Sequence, residues 1–87
     1  MALRIIYERQ AIKALARMPV ADAKRIRSKI QQYAEDPASL ANNVKKLQGV
    51  EYSRLRVGDW RVIFREDGVV IDVIKIAGRA DVYKGLE

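Results

Sequence analysis

The chain has 87 residues, 49% of them hydrophobic and 32% charged, and its 17 lysines and arginines outnumber 11 acidic residues to give a formal charge of +6. That length holds one domain, taken as residues 1–87, with a single modest core, and the composition argues against a disordered chain. Histidine and cysteine are both absent, which removes Cys/His metal centres, thiol nucleophiles, histidine acid–base schemes and disulfides.

No stretch approaches the roughly 18 apolar residues of a membrane span, and the first residues have no signal-peptide pattern. The expectation is therefore a cytoplasmic protein with no membrane partner and no cofactor. The basic balance points to a polyanion or an acidic protein as partner.

Leu3 to Tyr7 is short, apolar and β-rich, which predicts a strand. From Glu8 the period changes: Ala11, Ile12 and Leu15 fall at helical spacing, and the run stops before Pro19. A second helix is expected from about Pro19 to Glu35, ended by Asp36-Pro37. Its apolar stripe is Ala23, Ile26, Ile30 and Tyr33, with Lys24, Arg25, Arg27 and Lys29 on the remaining surface. Within Ala38–Gly49, Asn42-Asn43 marks a turn, and Lys45-Lys46-Leu47 reads equally as loop or as the start of a strand. Tyr52 to Val57 alternates, Gly58-Asp59 forms a two-residue hairpin signal, and Trp60 to Arg65 returns. Asp67-Gly68 then turns into the apolar run Val69 to Ala77. The fold class is α+β: an N-terminal strand, an antiparallel two-helix hairpin and a three-stranded antiparallel meander, with the helices on one sheet face.

A two-residue loop at Gly58-Asp59 sets the register, because directly opposed residues share a face. Leu55, Val57, Trp60, Val62 and Phe64 then line the core face, joined by Ile71 and Val73. Tyr52, Arg54, Arg56, Arg61 and Arg65 line the other, and Ile74 and Ile76 are expected beside them as an apolar strip. Arg56 falls opposite Arg61. Like charges so placed repel by about 0.2–1 kcal/mol, and an anion between two guanidinium groups would relieve the conflict. The alternative is a solvated face with Asp72 compensating. Gly78 lets the chain bend after the last strand, so that Arg79 and Tyr83 fold back towards the arginines, or else Tyr83 packs a late edge strand. An acidic amphipathic segment of a partner would cover the strip and the arginines together, unless the residues after Gly78 do so.

Nearly the whole chain resembles the RelE/ParE superfamily of bacterial toxins. The resemblance rests on Ala11–Leu15, Asp36-Pro37, Val44–Gly49, the stretch Tyr52–Ile63 with its Arg-Leu-Arg-Val-Gly-Asp-Trp-Arg core, and Arg79–Tyr83. It favours the RelE branch. It implies a RelE-like sandwich and a metal-independent endoribonuclease that enters the ribosomal A site and cleaves message by attack of the 2′-OH on the adjacent phosphate. Carried over, the catalytic set is Arg54, Arg61, Arg79 and Tyr83. Arg61 stabilises charge on the scissile phosphate, and Tyr83 is the candidate proton acceptor. Lys45, Lys46, Arg56, Arg65, Lys24 and Arg27 are the candidate RNA-binding residues. Gly78 stands where many relatives carry His, Pro or Lys.

The implied partners are a cognate antitoxin with an acidic amphipathic segment, the ribosome and its message, and operator DNA through the antitoxin alone. Two other readings stay open. One is a ParE-like inhibitor of DNA gyrase without chemistry, and the other a degenerate toxin that acts only through its antitoxin.

Overall fold

A computed structural model of the chain describes residues 2–82. In chain order it holds strand β1 (Arg4–Tyr7), helices α1 (Arg9–Arg17) and α2 (Val20–Glu35), a 3-10 turn over Pro37–Asn43, and strands β2 (Val44–Lys46), β3 (Ser53–Val57), β4 (Trp60–Glu66) and β5 (Val70–Gly78). Helix α1 ends on Arg17, a charge that suits the C-terminal end of the dipole, and Pro19 precedes α2. Asp36 stops α2: its N–H still bonds Gln32 O, and the Ser39 hydroxyl donates to the Asp36 carbonyl at 2.7 Å.

The expected three-stranded meander is present but is the middle of something wider. The strands form one five-stranded sheet in the order β1-β5-β4-β3-β2. Strand β1 lies parallel to β5, with Ile5 beside Ile71 and Tyr7 beside Val73. Strand β2 runs antiparallel to β3, with Lys45 beside Arg54. Both helices pack on one sheet face, where Ala11, Leu15, Ile26, Ile30 and Ala34 meet Leu55, Val57, Val62, Phe64, Ile71, Val73 and Ile76. Complete burial of one such aliphatic or aromatic side chain contributes about 1.5–3 kcal/mol.

The hairpin register is as the sequence predicts: Val57 pairs with Trp60, Arg56 with Arg61, Leu55 with Val62 and Arg54 with Ile63. Gly58 has φ +59° and no non-glycine residue among those described has a positive φ, so the turn has the II′ form, whose twist matches that of the flanking strands. The next connection departs from expectation in two steps. The loop is longer than Asp67-Gly68, because the Asp67 side chain accepts the N–H groups of Val69 and Val70 and Glu66 pairs with Ile71. That shift by two residues keeps Ile71 and Val73 on the core face. Then Phe64 pairs with Val73 while Ile63 pairs with Lys75, so Ile74 is a bulge residue. One extra residue reverses every side chain beyond it.

Ile76 therefore faces the core at 1% exposure, not the arginines, and no exposed strip of Ile74 and Ile76 exists. Ile63 of the far face and Val82 are instead buried, both at 0% exposure and both outside the main core cluster. The chain bends over that face after Gly78. Arg79 N–H bonds Asp59 O, Val82 N–H bonds Gly78 O, and Lys75 Nζ reaches Asp81 O. The residues after Gly78 thus fold back towards the hairpin as far as Val82.

Candidate functional site

The sheet face away from the helices carries the candidate site. Across it run two rows set by the register: Lys45, Arg54, Ile63 and Lys75, then Arg56, Arg61 and Ala77. Strand alternation aims every one of these side chains away from the core. Arg54 is half-buried, and its Nε is shut off from solvent. Lys45 and Arg54 line a shallow hollow with Lys46, Leu47 and Gln48.

Arg61 is held by the backbone beneath it. Its Nη1 donates to Gly58 O at 2.8 Å and to Trp60 O at 3.0 Å, leaving the rest of the guanidinium fork for a ligand. Arg56 opposite is exposed. The Arg79 backbone is tied to the same turn through Asp59 O at 2.9 Å. Arg54, Arg56 and Arg61 are thus gathered on one face, with the start of the Arg79 segment at its end. Tyr83 lies outside the described residues.

The other predicted contacts are arranged differently. Arg65 is on the same face but is clamped between carboxylates, with Nη1 3.0 Å from Glu51 and Nη2 3.0 Å from Asp72. Those hydrogen bonds to Glu51 and Asp72 hold its guanidinium more firmly charged than usual. Asp72 also raises the pKa of Glu8 from its ordinary value, first by a hydrogen bond and then by charge repulsion. The face is therefore divided: a cationic half at β2, β3 and the ends of β4 and β5, and an end beside β1 where carboxylates compensate Arg65. Lys24 and Arg27 are exposed on α2, which packs on the opposite face, so they are not brought together with the sheet arginines. Lys46 follows Lys45 with the opposite strand parity at the sheet edge.

Lys75 is the residue that sequence reasoning missed. Under a regular register it would point into the core, where an unpaired lysine is almost never found. That contradiction was the available signal for the bulge. A second omission is the link from the helices to the hairpin: Trp60 Nε1 donates to Asp22 Oδ2 at 3.2 Å, and Asp22 Oδ1 accepts from Arg25 Nη2 at 3.1 Å.

Chemically this is a surface of fixed guanidinium and ammonium groups with bidentate donors, suited to phosphate. Among the described residues no cluster of carboxylates is placed to hold a metal ion, and no helix is long and apolar enough to cross a membrane.

Comparison with known proteins agrees with this picture. The family described as "ParE toxin of type II toxin-antitoxin system, parDE" matches residues 5–83. A chain of the archaeal RelE–RelB complex from Pyrococcus horikoshii OT3 is 29% identical, superposes with a TM-score of 0.76, and the match covers 91% of this chain and 97% of that one. The RelBE2 toxin–antitoxin complex of Mycobacterium tuberculosis gives 14% identity and 0.77 over 91% and 100% of the two chains. The intact RelBE complex of E. coli gives 18% and 0.73 over 88% and 96%. These last two show likeness of fold alone. A search of curated proteins finds no match. With the family match running through both the strand-helix half and the arginine hairpin, the chain belongs to the RelE/ParE family of type II toxin–antitoxin toxins.

Proposed function

We propose that this toxin is a metal-independent endoribonuclease that cleaves message in the ribosomal A site. The observation that carries the reading is the directly opposed pair Arg56 and Arg61, with Arg61 fixed by backbone carbonyls on a face shared with Arg54, Lys45 and Lys75. A transition state for phosphodiester cleavage gathers negative charge on the phosphate oxygens, and preorganised cations stabilise it without reorganising. The 2′-oxygen forms the new bond to phosphorus, the 5′-oxygen leaves, and one proton passes from the first to a base while another reaches the second. Arg61 and Arg54 serve the phosphate charge, and Arg56 and Arg79 help to hold the substrate. Tyr83 is the proposed proton acceptor. Arginine stays charged, so it is not asked to move a proton.

Lys45 and Lys46 are the proposed grip on the RNA backbone beside the site. Lys24 and Arg27, on the helix layer, would meet a different segment of RNA. The partner in the resting state is an antitoxin whose acidic amphipathic segment neutralises the arginine face, a reading supported by the RelE–RelB complexes in which the structural relatives are found. Operator DNA is reached through that antitoxin. Primer extension on translated message, with and without ribosomes, tests the reading: cuts must require ribosomes and vanish in Arg61→Ala.

A second reading is favoured by the family description, which is that of ParE toxins. In it the chain inhibits DNA gyrase and performs no chemistry. Arrest of supercoiling by the purified chain, with message left intact, would support it instead.

A further inference from the structure

The backbone of the β3–β4 turn holds two arginines at one end of the arginine face. Gly58 O and Trp60 O grip the Arg61 guanidinium, and the carbonyl between them, Asp59 O, grips the Arg79 backbone. Where three successive carbonyls point therefore decides where two arginines begin. A two-residue turn at the end of a sheet has few neighbours to keep it still, yet this one is fastened from the helix side. The indole N–H of Trp60 bonds Asp22 on α2, and the other oxygen of that carboxylate holds Arg25. The Arg25 guanidinium in turn lies against Gly58, where an added Cβ would stand 3.6 Å from Nη2.

We propose that Asp22 and Trp60 are positioning residues, whose hydrogen bond on the helix side of the sheet fixes the 58–60 turn and with it the Arg61 guanidinium and the Arg79 backbone for a phosphate on the far face. The predicted effect on rate rests on the endoribonuclease reading above; the effect on Arg61 does not. Donors held in place before the charge develops stabilise it more than donors that must first be ordered. Loosening the turn should therefore slow the chemical step and spare the affinity, which many other cations supply.

The test uses the full chain and the substitutions Asp22→Ala, Asp22→Asn and Trp60→Phe. Asn keeps an oxygen for the indole N–H, whereas Phe keeps a ring and loses the donor. Tyr33→Phe, which removes a 2.7 Å hydrogen bond to Glu66 away from the turn, is the stability control. In single-turnover cleavage on reconstituted translating ribosomes, Asp22→Ala and Trp60→Phe should lower the maximal rate about five- to tenfold, with the half-saturating toxin concentration within about twofold. Asp22→Asn should recover most of the rate, and Tyr33→Phe should keep it.

The second readout needs no activity. Nitrogen-15 NMR of the Arg61 guanidinium, assigned with Arg61→Lys, should show hindered rotation in the wild type, Asp22→Asn and Tyr33→Phe, and free averaging in Asp22→Ala and Trp60→Phe. A wild-type chain that cuts nothing would dispose of the endoribonuclease reading while the NMR still decided the positioning. Arg61 signals unchanged in Asp22→Ala would overturn the proposal. So would a loss confined to the half-saturating concentration.

Discussion

Arg56 and Arg61 stand directly opposite each other across β3 and β4, and the backbone holds one of the two guanidinium groups. Arg61 is drawn down onto the turn carbonyls while Arg56 remains exposed. The arrangement lowers the repulsion between them without removing it, and it leaves a face whose electrostatics improve when an anion arrives.

Removing one charge of that pair should therefore stabilise the free protein. Arg56→Thr is expected to raise the unfolding free energy by about 0.2–1 kcal/mol at low salt. The gain should shrink above about 0.5 M salt, where screening already quiets the repulsion. Urea titrations at both salt concentrations check this, and a loss of stability at low salt would mean that Arg56 makes a favourable contact instead.

The bulge at Ile74 makes a sharper test of the sheet. Ile76 is buried, so Ile76→Ala should cost about 2–5 kcal/mol. Ile74→Ala, at a half-buried bulge position, should cost no more than about half as much. Equal costs by chemical denaturation would place both residues on one face and restore the regular register.

Two glycines should respond oppositely to a methyl group. Gly58→Ala forces a side chain into φ +59° and should destabilise the fold by about 1–2 kcal/mol. Gly78 has no positive φ and no atom within 4 Å of the position a Cβ would take. Gly78→Ala should stabilise by about 0.4–1 kcal/mol through the unfolded chain. Thermal unfolding of the two variants separates them at once.

The pair Glu8 and Asp72 predicts a dependence on pH. The hydrogen bond to Asp72, and then its charge, raise the Glu8 pKa in the folded state. The folded protein thus binds that proton more tightly than the unfolded chain. The contribution is fully present below the ordinary glutamate value of about 4.3 and is lost as pH rises through the higher folded value. Glu8→Gln should therefore be more stable than the wild type near neutrality, with the difference closing on the acid side. Melting temperatures of both proteins across that range check it, and a gap that widens in acid would have the wrong sign.

How much of this was legible in the sequence depended on the range of the interaction. The hairpin was readable because Gly58 at the first turn position and strict alternation on both sides leave one register. That register alone brings Arg54, Arg56, Arg61 and Arg65 to one face. The bulge was not read, because Val69 to Ala77 is nearly all apolar and gives period-two reasoning little to work on. Its trace is the spacing of Asp72 and Lys75: three residues apart, they share a face only if one residue is inserted between them. The parallel pairing of β1 with β5 joins residues more than sixty positions apart and leaves no local sign, and β2 is three residues long. The clamp of Glu51 and Asp72 on Arg65, and the bond from Asp22 to Trp60, are likewise contacts between distant segments.

Primer extension on a message translated in a reconstituted system, beside a control without ribosomes, tests the central claim most directly. The account predicts cuts that appear only when ribosomes are present and that disappear in Arg61→Ala, while that variant keeps its melting temperature and binds antitoxin within about threefold of wild type. An uncut message with translation continuing, or cuts that persist in Arg61→Ala, would contradict it.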